Sequence, residues 1–312
     1  MKHDIRWVVR EGEAHTVSDV LRLSGVPLSF VAEGRVFVGR TRVQSETMAV
    51  KVGDEVIVSA PSEGESVELE VIYSSRDFVA IHKPAGIATA PDHESASNTA
   101  WGILASQLGV SLNELHPSSR LDRNVSGVVT FSRTESGARC LATLREEGAY
   151  ERRYVALAKG KVVAPHTLWD APIGRAKNPR LRQANGKDAM FALTDVCVIA
   201  RASDTLLLAL RPRTGRTHQL RVHAAHAGVP LLGDRSYGGP RRHTLPSGGV
   251  ITFDRVALHC ARVRLRTTEG VPFDIRALVP QDMRGFWLAL GGKDEFERAC
   301  EEPWDRLVGS QS

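Results

Sequence analysis

From Val67 onward the sequence is a succession of short β-branched and aromatic runs, most of them with no helical stretch between. Residues 71–73, 78–81, 128–131, 154–157 and 205–210 each read as a strand. The helical pattern over 136–147 has Thr134 or Ser136 placed to cap it. A doubly wound parallel sheet needs a helix after nearly every strand. The spacing therefore predicts an α+β class, with a mixed, largely antiparallel sheet and flanking helices.

The first sixty residues form a different pattern. Val17, Val20, Leu21 and Leu23 suit a short helix over 16–24, ended by Gly25 and Pro27. Strand-like runs follow at 35–38 and 55–58, the second entered through the turn Lys51-Val52-Gly53-Asp54. Pro61 to Ser66, rich in Pro, Ser, Gly and Glu, reads as a linker. The expected organisation is a small α+β module over 1–60, a linker over 61–66, a large domain over 67–290 and a tail over 291–312. The tail is polar and acidic apart from Phe296, Trp304 and Leu307, which suits a loosely docked helix. A chain of 312 residues fits two domains at about 150 residues each.

Composition excludes several classes. With 42% hydrophobic and 25% charged residues the chain is not disordered. No apolar stretch approaches the roughly 18 residues of a membrane span, and Met1 to Arg10 lacks a signal-peptide core. Cys140, Cys197, Cys260 and Cys300 lie far apart with no C-x-x-C pair, against a disulfide framework or a cysteine zinc site. A cytoplasmic protein is the expectation, and nothing demands more than a monomer. The net charge of +5, from 41 cations and 36 acids, is weak evidence for a nucleic-acid partner by itself. Where the arginines cluster is more informative.

Three loops hold that cluster. In Arg120-Leu121-Asp122-Arg123-Asn124-Val125-Ser126-Gly127, arginines flank one carboxylate. Arginine does not deprotonate, so Asp122 stays ionised, and Ser126-Gly127 permits a tight turn into the next strand. A surface ion pair explains this run equally well. In the second loop, from Arg211 to His223, Thr214-Gly215-Arg216-Thr217-His218 leads into a helix start suited to phosphate contacts. Arg221 falls one turn into that helix, where a buried carboxylate can face it. His218, His223 and His226 offer a zinc reading, but the first two are not at i, i+4 spacing and no acid is adjacent, so no metal is expected. The third loop, His82-Lys83-Pro84-Ala85-Gly86, is a turn after a strand and carries little on its own.

Taken together and in order, the three segments resemble the RluA-type pseudouridine synthases. The Lys-Pro-Ala-Gly turn, the Arg-Leu-Asp loop ending in Ser-Gly and the Thr-Gly-Arg-Thr-His-Gln-Leu-Arg-Val-His segment carry the likeness, as do Arg152-x-Tyr154-x-Ala156 and Gly233-Asp234-x-x-Tyr237-Gly238. The first module is similar to the αL RNA-binding module through residues 33–38 and 52–56, while Pro27-Leu28-Ser29-Phe30 stands where that module has a basic helix.

The resemblance implies an isomerase that detaches a uridine base in RNA and rejoins it through carbon 5, with no cofactor and no metal. It implies Asp122 as the catalytic carboxylate, Arg221 as its partner and Tyr154 against the target base. Arg120 would help displace the target from its stack. Arg123, Lys83, Arg213, Arg216, Thr217, His218, Gln219 and Leu220 are the expected substrate contacts. The implied partner is structured RNA, ribosomal or transfer. Several positions depart from the family's usual residues: Ser119 for histidine, Asn124 for an acid, Val125 for threonine, Ala90 for histidine, and Arg133 and Arg152 for lysines. An alternative is therefore a non-catalytic RNA-binding protein that keeps the synthase fold.

Overall fold

The computed structural model describes residues 5–32, 36–39, 41–58, 68–91, 96–160, 164–245, 248–266 and 272–301. The expected linker at 61–66, together with Trp304 and Leu307, lies outside them. The chain divides into two units, Met1–Val67 with Pro280–Phe286, and Glu68–Val279 with Trp287–Ser312.

The first unit contains β1 (Ile5–Val8), α1 (Val17–Ser24), α2 (Ser29–Ala32), β2 (Val36–Val38), β3 (Thr41–Arg42) and β4 (Glu55–Val58), its strands ordered β1-β4-β2-β3 and antiparallel. A capping box starts α1: the Thr16 hydroxyl accepts from the Asp19 amide, and the Asp19 carboxylate accepts from the Thr16 amide. Gly25 ends it at φ +70°. Val17, Val20 and Leu21 are buried against Val36 and Val56, on the face that their spacing predicts.

The second unit runs β5 (Glu70–Ser74), β6 (Phe78–Lys83), α3 (Ala100–Leu108), β7 (His116–Pro117), β8 (Ser126–Ser132), α4 (Glu135–Glu146), β9 (Tyr150–Lys159), β10 (His166–Trp169), β11 (Ile173–Arg175), β12 (Arg182–Ala184), β13 (Lys187–Met190), β14 (Thr194–Ala202), β15 (Thr205–Pro212), α5 (Gln219–His226), β16 (Arg242–Thr244), β17 (Val250–Thr252), β18 (Leu258–Arg266) and β19 (Pro272–Arg276). The chain continues through α6 (Gln281–Ala289) and α7 (Phe296–Glu301). Thr134 caps α4 by accepting from the Gly137 amide. In the tail, Phe296 is fully buried on α7, so this helix is firmly docked rather than loosely held.

Ten strands form one sheet, ordered β10-β14-β15-β9-β18-β8-β6-β5, with β19 on β18 and β7 on β8. Among the described strands β8–β18 is the one parallel pair. The architecture is thus α+β, with a mixed, mostly antiparallel sheet. Between β8 and β18 the pairing is confined to His259 opposite Ser126 and Cys260 opposite Gly127. Beyond Cys260 a bulge turns β18 toward β19. Gly127 therefore lies inside β8 rather than in a turn before it. It stands at φ +124°, and a Cβ there would come within 2.3 Å of the Cys260 carbonyl oxygen. Close approach of two backbones, not a tight turn, is what requires glycine here.

Candidate active site

The loop before β8 is held from three sides. The Thr89 hydroxyl donates to the Leu121 carbonyl at 2.8 Å and accepts from the Leu121 amide at 3.0 Å. The Gly86 amide donates to the Arg123 carbonyl at 2.8 Å, and the Val125 amide donates to the Asp122 carbonyl at 3.0 Å. At the loop's start, the Tyr150 hydroxyl lies 3.1 Å from Ser118 Oγ, 3.4 Å from Ser119 Oγ and 2.7 Å from Thr130 Oγ1. Arg145 donates to the Ser118 carbonyl at 2.8 Å. Leu121 and Val125 are buried on either side of Asp122, so the carboxylate is presented from a backbone that cannot swing.

Lys83 completes this clamp. Its side chain is fully buried, and Nζ donates to the carbonyls of Pro84 at 2.8 Å, Ile87 at 2.7 Å and Arg123 at 3.4 Å. Three carbonyls match the three N–H bonds of an ammonium. Burial, with Arg255 and Arg123 adding and Asp122 opposing, pushes its pKa down to about 7. Expected as a substrate contact, Lys83 instead ties the Lys-Pro-Ala-Gly turn to the Asp122 loop.

Opposite the loop, α5 supplies Arg221. One guanidinium nitrogen donates to Asp122 Oδ2 at 2.8 Å, and Nε and Nη2 make a bidentate pair with Asp234 at 2.7 Å each. Asp234 is 1% exposed, whereas the Asp122 side chain is 28% exposed. Burial opposes the charge on Arg221, but Asp234 and then Asp122 more than offset it and raise the pKa. The guanidinium also lies 4.9 Å over the Tyr237 ring. One cation is thus shared between a sealed carboxylate that fixes it and an accessible one that it reaches at 2.8 Å.

His218 precedes α5 in the left-handed region at φ +57°. Its Nδ1 is 2.7 Å from the Tyr237 hydroxyl and its Nε2 is 3.9 Å from Asp122 Oδ2. Burial lowers its pKa, with Asp122 opposing and Arg221 adding, so the ring is neutral at pH 7. The three histidines do not converge. Both His223 nitrogens are engaged, by Thr194 Oγ1 at 3.0 Å and the Ala171 carbonyl at 2.9 Å, and His226 is exposed at the helix end.

Tyr154, on β9, is opposite Cys260 on β18, which is itself opposite Gly127 on β8. Two strand spacings of about 4.8 Å separate Tyr154 from the entry of β8. Tyr154 is buried, and burial raises its phenol pKa well above the ordinary value, keeping it neutral. The β8–β18 junction therefore brings the Asp122 loop and Tyr154 to the same end of the sheet.

The remaining expected contacts divide in two. Gln219 and Leu220 are buried. The Gln219 carboxamide accepts from the Thr214 hydroxyl at 2.7 Å and the Arg216 amide at 3.0 Å, and donates to the Leu193 carbonyl at 2.9 Å. It shapes the loop and does not face outward. Arg120, Arg123, Arg213 and Thr217 are exposed, although Arg213 pairs with Asp195 at 2.7 and 2.8 Å. Arg216 donates to the Phe191 carbonyl at 2.9 Å. Sequence reasoning assigned no role to Asp234 and Tyr237, although both stood in the Gly-Asp-x-x-Tyr-Gly segment. It also missed Thr89 and Tyr150, whose hydroxyls show no signal in sequence.

Residues 77–226 match the family model of RNA pseudouridylate synthase. The chain is 32% identical over 266 residues to ribosomal large subunit pseudouridine synthase D of Xanthomonas campestris, covering 82% of this chain and 78% of that protein. It is 30% identical over 261 residues to the RNA pseudouridine synthase YjbO of Bacillus subtilis, covering 78% of this chain and 88% of the relative. The chain belongs to the RNA pseudouridylate synthase family. It is an RluA-type synthase, an isomerase acting on RNA. The fold agrees: human RNA pseudouridylate synthase domain containing 1 superposes with a TM-score of 0.56 at 23% identity, over 70% of this chain and 87% of that one. In this synthase, Ser119 and Val125 both pack inward, Ser119 toward the Tyr150 hydroxyl and Val125 into the core, while Asn124 faces solvent.

Proposed function

We propose that Asp122 is the carboxylate that starts isomerisation of a uridine in ribosomal or transfer RNA, with Arg221 paired to it and Tyr154 against the base. The observation that carries this reading is the shared guanidinium, anchored on buried Asp234 and reaching accessible Asp122. An ionised carboxylate in a partly dry pocket is a competent nucleophile. In the net change the N1–C1′ bond breaks, a C5–C1′ bond forms, the C5 proton departs and N1 gains a proton. No redox step is involved. Exposed Arg120, beside Asp122, suits displacement of the target base from its stack, a step that reaction within a helix demands. Arg123, Arg213 and Thr217 are open to RNA phosphates. The first unit fits a degenerate αL-like RNA-binding module. The protein acts in the cytoplasm as a monomer.

The departures at Ser119 and Val125 favour a second reading, a fold-retaining RNA binder without catalysis. One experiment separates the two. Pseudouridines are mapped across RNA from cells with the gene, without it, and with Asp122→Ala restored. Loss of a site that wild type restores and the variant does not is the expected result. Restoration by the variant removes Asp122 from catalysis, and no lost site at all favours the binder.

A further inference from the structure

The Tyr237 hydroxyl stands between two partners. The Arg182 amide donates to it at 3.0 Å, and His218 Nδ1 lies 2.7 Å away. Burial raises the phenol pKa, so the oxygen keeps its proton. A phenol donates one hydrogen bond, and among the described residues Nδ1 is the acceptor within reach of it. This assigns the tautomer of the neutral ring. Nδ1 accepts from Tyr237, so the imidazole proton sits on Nε2. Nε2 is the nitrogen that faces Asp122, 3.9 Å from Oδ2.

The ring is held by more than this bond. His218 enters α5 in the left-handed region, which costs backbone energy for a residue with a side chain, and the Val222 amide ties its carbonyl at 2.9 Å. Its imidazole meets the Tyr237 ring edge to face, with centroids 5.7 Å apart. The Asp122 carboxylate has no comparable hold on its orientation. A carboxylate turns about its terminal torsion over a broad range. Arg221 reaches Oδ2 at 2.8 Å, and no hydrogen bond or ion pair among the described residues reaches Oδ1. One donor lets the carboxylate plane pivot about the bonded oxygen. A second donor on that oxygen, from a different direction, fixes the plane.

We propose that His218 is a positioning residue for Asp122: Tyr237 fixes its Nε2–H toward the carboxylate, and with Arg221 it holds Oδ2, so that Oδ1 is the oxygen presented to the target nucleoside. At 3.9 Å the contact is longer than a hydrogen bond, as catalytic contacts commonly are before substrate tightens them. The other tautomer would turn a lone pair on Nε2 toward a carboxylate oxygen and repel it. Tyr237 therefore acts two steps from the reacting atoms, by choosing which imidazole nitrogen carries the proton. Orientation of this kind is worth rate because the reacting oxygen must approach along one direction. The assignment rests on the reading of Asp122 as the reacting carboxylate.

The test reads the tautomer and the turnover separately. With histidine labelled by nitrogen-15, long-range proton–nitrogen spectra distinguish the two tautomers, and the His218 signal among the 11 histidines is the one lost in His218→Asn. Wild type is expected to carry the proton on Nε2, and Tyr237→Phe to populate both tautomers. A protonated Nδ1 in wild type overturns the proposal. Steady-state pseudouridine formation is then followed in a transcript spanning the mapped uridine. His218→Asn keeps a residue type at home at φ +57° and is expected to lower kcat about tenfold with KM within about twofold. Tyr237→Phe is expected to lower kcat about threefold in the wild-type background and no further in His218→Asn. A raised KM at unchanged kcat in His218→Asn makes the ring an RNA contact and overturns the positioning role. Equal effects of Tyr237→Phe in both backgrounds overturn the link between the two rings. Asp122→Asn is assayed beside them: if it turns over, the reading of Asp122 fails. If it is inactive while His218→Asn matches wild type, the positioning role alone fails.

Discussion

Arg221 serves two carboxylates, and replacing each by asparagine should produce opposite signatures. In Asp234→Asn the guanidinium keeps Asp122 but loses a bidentate partner that is 1% exposed. Breaking a buried pair by removing one member costs about 3–5 kcal/mol. At about 2–4 °C per kcal/mol for a domain of this size, the melting temperature falls by roughly 10 °C. In Asp122→Asn, Arg221 keeps both bonds to Asp234, and the lost contact is at a side chain 28% exposed. That costs about 1 kcal/mol. Turnover orders them the other way. Asp122→Asn removes the proposed reacting group and should lower kcat by more than about 10³-fold with RNA affinity retained. Asp234→Asn should leave measurable turnover below its melting point. Thermal unfolding followed by circular dichroism, and pseudouridine formation in a transcript of the mapped target, give the two readouts. A neutral Asp234→Asn, or an Asp122→Asn that melts lower than Asp234→Asn, would refute the division of labour.

Gly127→Ala combines φ +124° with a 2.3 Å approach to Cys260, so denaturant unfolding should show a loss of about 2–5 kcal/mol. Tyr150→Phe removes one shared partner from the Ser118 and Thr130 hydroxyls, which keep each other, and should cost about 1 kcal/mol, lowering kcat more than KM as the Asp122 loop loosens. Lys83 has a pKa of about 7 in the fold against 10.5 when free. Between those values the unfolded chain binds more protons, so its contribution to stability rises with pH, by up to about 1.4 kcal/mol per pH unit. Unfolding of wild type and Lys83→Met from pH 7 to 10 should therefore diverge in favour of wild type as pH rises, and parallel curves would contradict this.

Local chemistry alone carried much of the fold. The capped α1, the strands around 78–81, 128–131, 154–157 and 205–210, and α4 behind Thr134 all follow from apolar period and capping residues. Other elements were legible and went unread. In β18, Arg262-Val263-Arg264-Leu265 alternates with period two, yet its cations obscured a strand central to the sheet. The short strands β12 and β13 carry no such alternation, because little of either face is buried.

Local sequence was enough to pick out the candidate site residues, because the segments that carry Asp122, Arg221 and Tyr154 are contiguous motifs whose chemistry is local. Tertiary structure alone decided what each does there. Asp122 and Arg221 are 99 residues apart, and only the packing of α5 against the β8 loop puts them 2.8 Å from each other. Lys83 and Gln219 look in sequence like RNA contacts, yet burial turns both inward onto carbonyls and hydroxyls. Asp234 became the anchor of Arg221 because it is sealed from water, and Asp122 the accessible partner, and the proposed reactive group, because it is not. That difference in desolvation is set by neighbours distant along the chain, which no local pattern encodes.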